Sequence, residues 1–130
     1  MEFKFTYTGI RVVDLDRSIR FYNEVLGMTL LSRGKIPETR GEIAVLKSEG
    51  SEQILELNWY AEDSPVAGPY KDGEELDHLA FEVEDLDEAL KYLEEKGHPI
   101  VLGKCETEGA EWAYVEDPDG NWIELFESGE

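Results

Sequence analysis

The sequence is poor in cysteine and histidine, with one Cys and two His in 130 residues. A single thiol, Cys105, cannot form an intramolecular disulfide, so nothing requires an oxidising compartment and a cytoplasmic location is expected. Structural zinc sites built from several thiolates are excluded on the same ground. No catalytic context surrounds Cys105, which we interpret as a small packed residue.

Basic residues are also scarce: 12 Lys and Arg stand against 31 Asp and Glu, for a formal charge of −19. Because the acids are spread along the whole chain, nucleic-acid and membrane surfaces would be repelled, and neither is expected as a partner. No run approaches the roughly 20 apolar residues that span a bilayer, and the first residues do not resemble a secretory leader. An anionic substrate would have to be met by a few local cations or by a metal ion.

Several catalytic motifs are missing. There is no P-loop, no glycine-rich dinucleotide fingerprint and no nucleophile elbow, which disfavours phosphoryl transfer, nicotinamide chemistry and serine hydrolysis. The stretch EDPDGNW at residues 116–122 lacks the 12-residue ligand series of a calcium loop and is interpreted as a tight turn.

Hydrophobic periodicity divides the chain into two halves with the same order, β-α-β-β-β. The first half has predicted strands over residues 3–12, 28–33, 42–47 and 53–58 and a helix over 15–26, with Asp14 as N-cap and Gly27 as stop. The second half has predicted strands over residues 76–83, 100–104, 111–115 and 122–127 and a helix over 86–96, with Asp85 and Gly97 in those roles. We expect one domain, 1–130, in which residues 61–75 link unit 1–60 to unit 76–130.

The repeat is visible residue by residue. RVVDLDRSIRFY at 11–22 overlays EVEDLDEALKYL at 82–93, and extending this register backward places Tyr7 opposite His78. ILELN at 54–58 overlays WIELF at 122–126, which places Glu56 opposite Glu124. A histidine and two glutamates therefore occupy matched positions of a duplicated unit.

Strand alternation gives a second indication of a site. On the last strand Ile123 and Leu125 should face a helix, while Glu124 faces the other way between Trp122 and Phe126. A carboxylate between two aromatic side chains is costly unless its charge is offset. If the strands share one curved surface, four side chains converge in a cavity: Tyr7, Glu56, His78 and Glu124.

Two carboxylates and a neutral imidazole suit Ni²⁺, Co²⁺, Mn²⁺, Fe²⁺ or Zn²⁺, with positions left for water or substrate. The simpler alternative for His78 is a hydrogen-bonded structural histidine, and for Glu56 and Glu124 solvated strand positions. His98, in GHPI after the second helix, is interpreted as a surface turn residue.

Four stretches, IRVVDLDRSIRFYNEVLGM, LELNW, DHLAFEVEDLDEA and VEDPDGNWIEL, resemble the vicinal oxygen chelate superfamily and, within it, glyoxalase I (lactoylglutathione lyase). The resemblance covers nearly the whole chain. It implies an α+β fold in which two tandem βαβββ units form a curved mixed sheet with a concave cavity. It also implies a homodimer whose sites are shared between subunits.

The resemblance implies that Glu56, His78 and Glu124 bind a divalent metal, whereas Tyr7 stands where the family has histidine or glutamine. A phenol is a good ligand only as phenolate, so weak binding, binding through water and closure of the site stay open for Tyr7. Arg11 matches an arginine that contacts the glutathione carboxylate, and Asn58 matches a second contact with a spacing two residues short. Tyr7 and Trp122 are further candidates for substrate contact.

The implied reaction is isomerisation of a hemithioacetal through an enediolate, with Glu124 as general base. The alternative is a metal-free small-molecule-binding protein of the bleomycin-resistance type, which Tyr7 and a set of aromatic residues favour: Trp59, Trp112, Tyr114 and Trp122. An extradiol-type Fe²⁺ dioxygenase is disfavoured, because it needs a histidine on the first strand.

Overall fold

The computed structural model describes residue 2 and residues 4–70, 76–107 and 109–127. Internal contacts divide the chain into two compact units, Met1–Tyr70 and Lys71–Glu130. The first unit contains β1 (Thr8–Arg11), α1 (Leu15–Ile19), β2 (Thr29–Ile36), β3 (Gly41–Lys47) and β4 (Ile54–Tyr60). The second contains β5 (Leu79–Glu82), α2 (Leu86–Glu95), β6 (Ile100–Thr107), β7 (Ala110–Glu116) and β8 (Trp122–Glu127). The α+β class and the βαβββ order of both units are confirmed.

Each unit forms its own four-stranded mixed sheet, and the two sheets have the same topology. The strand orders are β1-β4-β3-β2 and β5-β8-β7-β6. The first strand of each unit pairs in parallel with the last, and the other neighbours are antiparallel. The first strand of each unit therefore lies at an edge, beside the strand that carries the candidate glutamate.

Both helices begin as predicted. The Asp14 carboxylate accepts a hydrogen bond from the Arg17 amide, and Asp85 does the same for Glu88. These bonds satisfy amides that have no partner inside the helix. Gly27 and Gly97 follow the helices with φ of 78° and 86°, a conformation that glycine adopts without strain. Within the described residues, no helix has the length and apolar character that crossing a membrane requires.

The first helix differs from the prediction over its second half. From Arg20–Val25 it widens into a π-helix, in which the Leu26 amide donates to the Phe21 carbonyl. Phe21 and Tyr22 are both buried, with their rings 5.0 Å apart and nearly perpendicular. The extra residue in the turn accompanies the burial of two consecutive aromatic side chains.

Several strand boundaries also differ. β1 and β5 begin at Thr8 and Leu79, later than the predicted 3 and 76, because pairing with β4 and β8 starts there. Tyr7 and His78 therefore lie just before their strands. β2 and β6 extend three residues further than predicted. Residue 3 of the first predicted strand and residues 71–75 of the linker lie outside the described residues.

The alternating faces of the last strands are confirmed. Leu55 and Leu57 on β4, and Ile123 and Leu125 on β8, are buried, while the residues between them are more exposed. α2 turns its buried leucines inward: Leu86, Leu90 and Leu93. Glu56 and Glu124 consequently lie on the sheet face opposite the leucine core of their own unit.

An ion-pair triad recurs in both units and ties the start of each helix to a hairpin. Arg33 contacts Asp16 at 2.7 Å and Glu42 at 2.9 Å. Lys104 contacts its two acids, Asp87 and Glu111, at 3.3 and 3.2 Å. Hydrogen bonds to these acids raise the pKa of both basic groups. The triads repeat at matched positions, which sequence periodicity alone did not indicate.

Replacing Leu57 by alanine should lower the free energy of unfolding by about 2–5 kcal/mol, since its side chain is fully buried on the core face of β4. The matched control is Leu31→Ala, at a leucine that is 52% exposed, which should cost about 0.5 kcal/mol or less. Urea unfolding of both variants measures the difference. Equal losses would contradict the assignment of faces.

Candidate functional site

Strand register places the two candidate glutamates at equivalent points of the two sheets. Glu56 lies opposite Gly9 on β1, and Glu124 lies opposite Ala80 on β5. Tyr7 and His78 each stand two residues before those partners. The correspondence inferred from the internal repeat is therefore present in the backbone pairing of each unit.

In the second unit, His78 lies between two carboxylates. Its Nε2 is 3.0 Å from Glu124 Oε1, and its Nδ1 is 2.7 Å from Asp77 Oδ1. The His78 and Glu124 side chains are 30% and 24% exposed, whereas Asp77 is 91% exposed. The pair is thus partly withdrawn from water, and the second carboxylate approaches from the solvent side.

A row of aromatic rings borders this pair. The His78 ring meets the edge of Tyr114 at 5.2 Å between centroids, and Tyr114 contacts Trp112 at 5.6 Å and Trp122 at 5.1 Å. Tyr114 is also the cross-strand neighbour of Glu124. Burial, followed by the charges of Glu124 and Asp77, raises the pKa of the Tyr114 phenol. The site therefore joins an aromatic surface to a polar pair.

The equivalent place in the first unit has a different character. Val45 lies opposite Glu56, where the second unit has Tyr114. Tyr7 is 50% exposed, and Glu56 is half-buried. Among the described residues, neither side chain has a polar contact comparable to the 3.0 Å approach of His78 Nε2 to Glu124 Oε1. Within the residues that the structure describes, a close pair of candidate ligand atoms is present in the second unit and not in the first.

Arg11 and Asn58, the candidate substrate contacts, are direct partners across β1 and β4. The Arg11 guanidinium donates to the Gly68 carbonyl at 2.7 Å and lies 5.5 and 5.6 Å from the ring centres of Tyr60 and Tyr70. This cation therefore holds the segment that follows β4.

The Asn58 amide occupies space beside Gly9. A Cβ at Gly9 would come within 3.1 Å of Asn58 Nδ2, so the absence of a side chain there leaves room for the amide. Asn58 Nδ2 also lies 3.4 Å from the Glu56 carbonyl oxygen. The amide is thus held on the same sheet face as the Glu56 carboxylate.

The chemistry of the His78 and Glu124 pair fits part of a divalent metal site. An imidazole nitrogen and a carboxylate oxygen 3.0 Å apart are two donors of the type that transition metals accept. Over the described parts of the chain, no three His, Cys, Asp or Glu side chains form a group that could hold an ion. Of the predicted ligands, Glu56 lies in the first unit and His78 and Glu124 lie in the second.

The turn before β8 is confirmed as a turn. The buried Asp117 carboxylate accepts hydrogen bonds from the Asp119 and Asn121 amides and from the Asn121 side chain. Gly120, with φ of 84°, completes it. The Asp117 carboxylate is directed to protein donors, which agrees with a structural role and not with a calcium loop.

His98 follows α2, and Cys105 lies on β6. His98 is half-buried behind α2, where its amide donates to the Leu93 carbonyl and burial lowers the pKa of its ring. Cys105 is partly exposed on β6, and its thiol contacts the Gly103 carbonyl. His98 is thus a turn residue, as expected, although it is less exposed than predicted.

Comparison with known proteins identifies the family. Residues 4–125 match the Glyoxalase/Bleomycin resistance protein/Dioxygenase superfamily. The chain belongs to this superfamily. It is 34% identical to the lactoylglutathione lyase of Haemophilus influenzae, covering 94% of this chain and 90% of that protein. It is 32% identical to the Schizosaccharomyces pombe lactoylglutathione lyase, covering 98% of this chain but only 48% of the yeast protein.

Solved structures show the same fold. The trypanothione-dependent glyoxalase I of Leishmania major superimposes with a TM-score of 0.77 at 35% identity, covering 97% of this chain and 87% of that one. An antibiotic-binding protein from a Streptomyces species superimposes with a TM-score of 0.75 at 26% identity, covering 98% of both chains. Enzymes and binding proteins thus share this architecture.

Replacing Arg11 by methionine should loosen the segment 61–70, because it removes the bond to Gly68 and the contacts with Tyr60 and Tyr70. These contacts should contribute about 1 kcal/mol to the free energy of local opening, and losing them corresponds to roughly fivefold faster amide exchange in that segment. Hydrogen-exchange mass spectrometry measures it, with Arg20→Met, at an exposed arginine, as the matched control. Unchanged exchange in the Arg11 variant would contradict this role.

Proposed function

We propose that the protein is a divalent-metal-dependent, glyoxalase I-like lyase that isomerises a hemithioacetal formed from a 2-oxoaldehyde and a thiol. The observation that carries this proposal is the approach of His78 Nε2 to Glu124 Oε1 at 3.0 Å in the second unit. Similarity to bacterial lactoylglutathione lyases over 90% of their length supports the reaction class.

His78, Glu124 and Glu56 are the residues that would hold the ion, which is Ni²⁺, Co²⁺, Zn²⁺, Mn²⁺ or Fe²⁺. Two carboxylates balance its charge, and the imidazole supplies a nitrogen ligand. Tyr7 occupies the fourth ligand position of the family, where it would bind weakly, bind through water or close the site. When bound, the metal offsets negative charge that develops on the two vicinal oxygens of the substrate.

Glu124 acts as the general base. Its carboxylate takes the proton from the carbon that carries the hydroxyl and the sulfur, next to the ketone, and the electron pair left behind forms the enediolate. The same proton is then returned to the neighbouring carbon, and the hydroxyl proton passes from the oxygen of the first carbon to the oxygen of the second, which yields a 2-hydroxy thioester. No atom or electron is gained or lost, so no redox cofactor is required.

Arg11 and Asn58 bind the thiol portion of the substrate. Arg11 already interacts with a carbonyl oxygen, and a substrate carboxylate would replace Gly68 as a stronger, charge-assisted partner. Trp122, 41% exposed beside Tyr114, covers the carbon skeleton together with Tyr7. These contacts orient the substrate relative to Glu124.

The active form is proposed to be a homodimer in which unit one of one subunit completes the site of unit two from its mate, each chain being one domain. The division of the predicted ligands, with Glu56 in the first unit and His78 and Glu124 in the second, supports this arrangement. The proposed partner is a small molecule, because a formal charge of −19 repels nucleic-acid and membrane surfaces, and the proposed location is the cytoplasm.

A second candidate is a metal-free binding protein. The continuous rings of Trp112, Tyr114 and Trp122 offer a stacking surface for a planar ligand, and the similar fold of the antibiotic-binding Streptomyces protein agrees with that use. The two functions differ in whether His78 and Glu124 bind an ion.

Protein purified without chelator or polyhistidine tag should contain about one divalent transition metal per chain, because each chain supplies one set of the three ligands. His78→Ala should lose the metal and turnover together. Glu124→Gln should lower kcat by at least about 10²-fold, the contribution expected of a general base. Mass spectrometry of the metal and an assay of thioester formation from hemithioacetals measure these effects.

His98→Ala is the matched control, since it removes the other histidine and should retain both metal and turnover. A parent protein that binds no metal after reloading, but whose tryptophan fluorescence is quenched saturably by a planar ligand, would contradict the lyase and support the binding protein.

Subunit mixing tests the shared site. Glu56→Gln and His78→Ala homodimers should each be inactive. After mixing and exchange, half of the dimers are mixed and one of their two sites is intact, so about a quarter of parental turnover should return. If every site were built from one chain, mixing would restore nothing.

A further inference from the structure

The contact between Asp77 and His78 has no counterpart in the first unit, where the matched residue before Tyr7 is Thr6. Asp77 Oδ1 lies 2.7 Å from His78 Nδ1, the shorter of the two polar contacts of this ring. Neighbouring residues within a strand point to opposite faces. Because β5 begins only at Leu79, both side chains precede the strand and can meet.

The two ring nitrogens of His78 both face carboxylate oxygens. A neutral imidazole carries one N–H, so it can donate to Asp77 or to Glu124 but not to both. The lone pairs of Nε2 and Glu124 Oε1, 3.0 Å apart, repel each other unless a proton or a cation lies between them. The tautomer of His78 therefore determines whether a metal can bind between His78 Nε2 and Glu124 Oε1.

We propose that Asp77 is a positioning residue that keeps the proton of neutral His78 on Nδ1 and so leaves Nε2 free as a metal ligand. This inference rests on the proposed function. Edge contact with Tyr114 limits the orientation of the imidazole plane, and the hydrogen bond to Asp77 then selects the tautomer. Glu124 receives no proton from His78 in that state and remains available as a base.

The tautomer can be measured without any metal. In metal-free protein at alkaline pH, where the imidazole is neutral, ¹⁵N NMR distinguishes the nitrogen that carries hydrogen from the one that does not. With only two histidines in the chain, His98 provides an internal reference. Nδ1–H should predominate at His78 in the parent. It should fall in Asp77→Ala and persist in Asp77→Asn, whose amide oxygen still accepts the bond.

Nickel affinity provides the second measurement. Asp77→Ala should weaken Ni²⁺ binding by about tenfold, the low end for loss of an outer partner of a ligating histidine, because Asp77 is exposed. Asp77→Asn should recover most of the affinity. Glu84→Ala, which removes an exposed acid from the same unit, is the matched control for charge and should bind as the parent does. Isothermal titration calorimetry measures all four proteins.

The outcomes separate this inference from the proposed function. An unchanged tautomer in Asp77→Ala would overturn the role of Asp77 even if the parent binds nickel and is active. A changed tautomer with unchanged nickel affinity would likewise overturn its positioning role. If the parent binds no metal but Asp77→Ala still shifts the tautomer, the control of the ring by Asp77 stands and the metal-dependent function fails.

Discussion

The candidate chemistry depends on one contact, the 3.0 Å approach of His78 Nε2 to Glu124 Oε1. Both side chains are only partly exposed, so the charge of the carboxylate is incompletely screened and favours a positive partner. A proton can fill that role, and so can a divalent cation. Asp77 influences whether a proton or a cation lies beside Glu124, because its carboxylate competes with Glu124 for the single proton of a neutral His78 imidazole. The function proposed for the protein follows from this competition.

The scaffold around this contact is built from structural features that recur in both units. Asp14 and Asp85 start the helices, parallel pairing with the last strand sets the edge strands, and a basic residue on a hairpin fastens each helix start. The side chains on the corresponding faces of the two sheets nevertheless differ. The second unit presents an imidazole and Tyr114 where the first has Tyr7 and Val45. A duplicated fold thus supplies equivalent backbone positions, and the two units carry different side chains at them.

The sequence predicted what depends on local pattern. Alternation along WIELFE assigned Ile123 and Leu125 to the core and Glu124 to the other face, and the repeat register matched Glu56 with Glu124. It did not predict features that need partners distant in the chain. The start of β5 at Leu79 is set by pairing with β8, and that start is what allows Asp77 to reach its neighbour. The widening of the first helix likewise accompanies core packing of Phe21 and Tyr22, which no helical period reveals.

The most direct test of a metal at this contact is anomalous diffraction from crystals grown with Co²⁺, recorded at the cobalt absorption edge. If the pair binds a metal, we expect a single strong peak per site within bonding distance of His78 Nε2 and a Glu124 carboxylate oxygen. Fully ordered His78 and Glu124 side chains joined by a direct hydrogen bond, with no anomalous peak beside them, would contradict it.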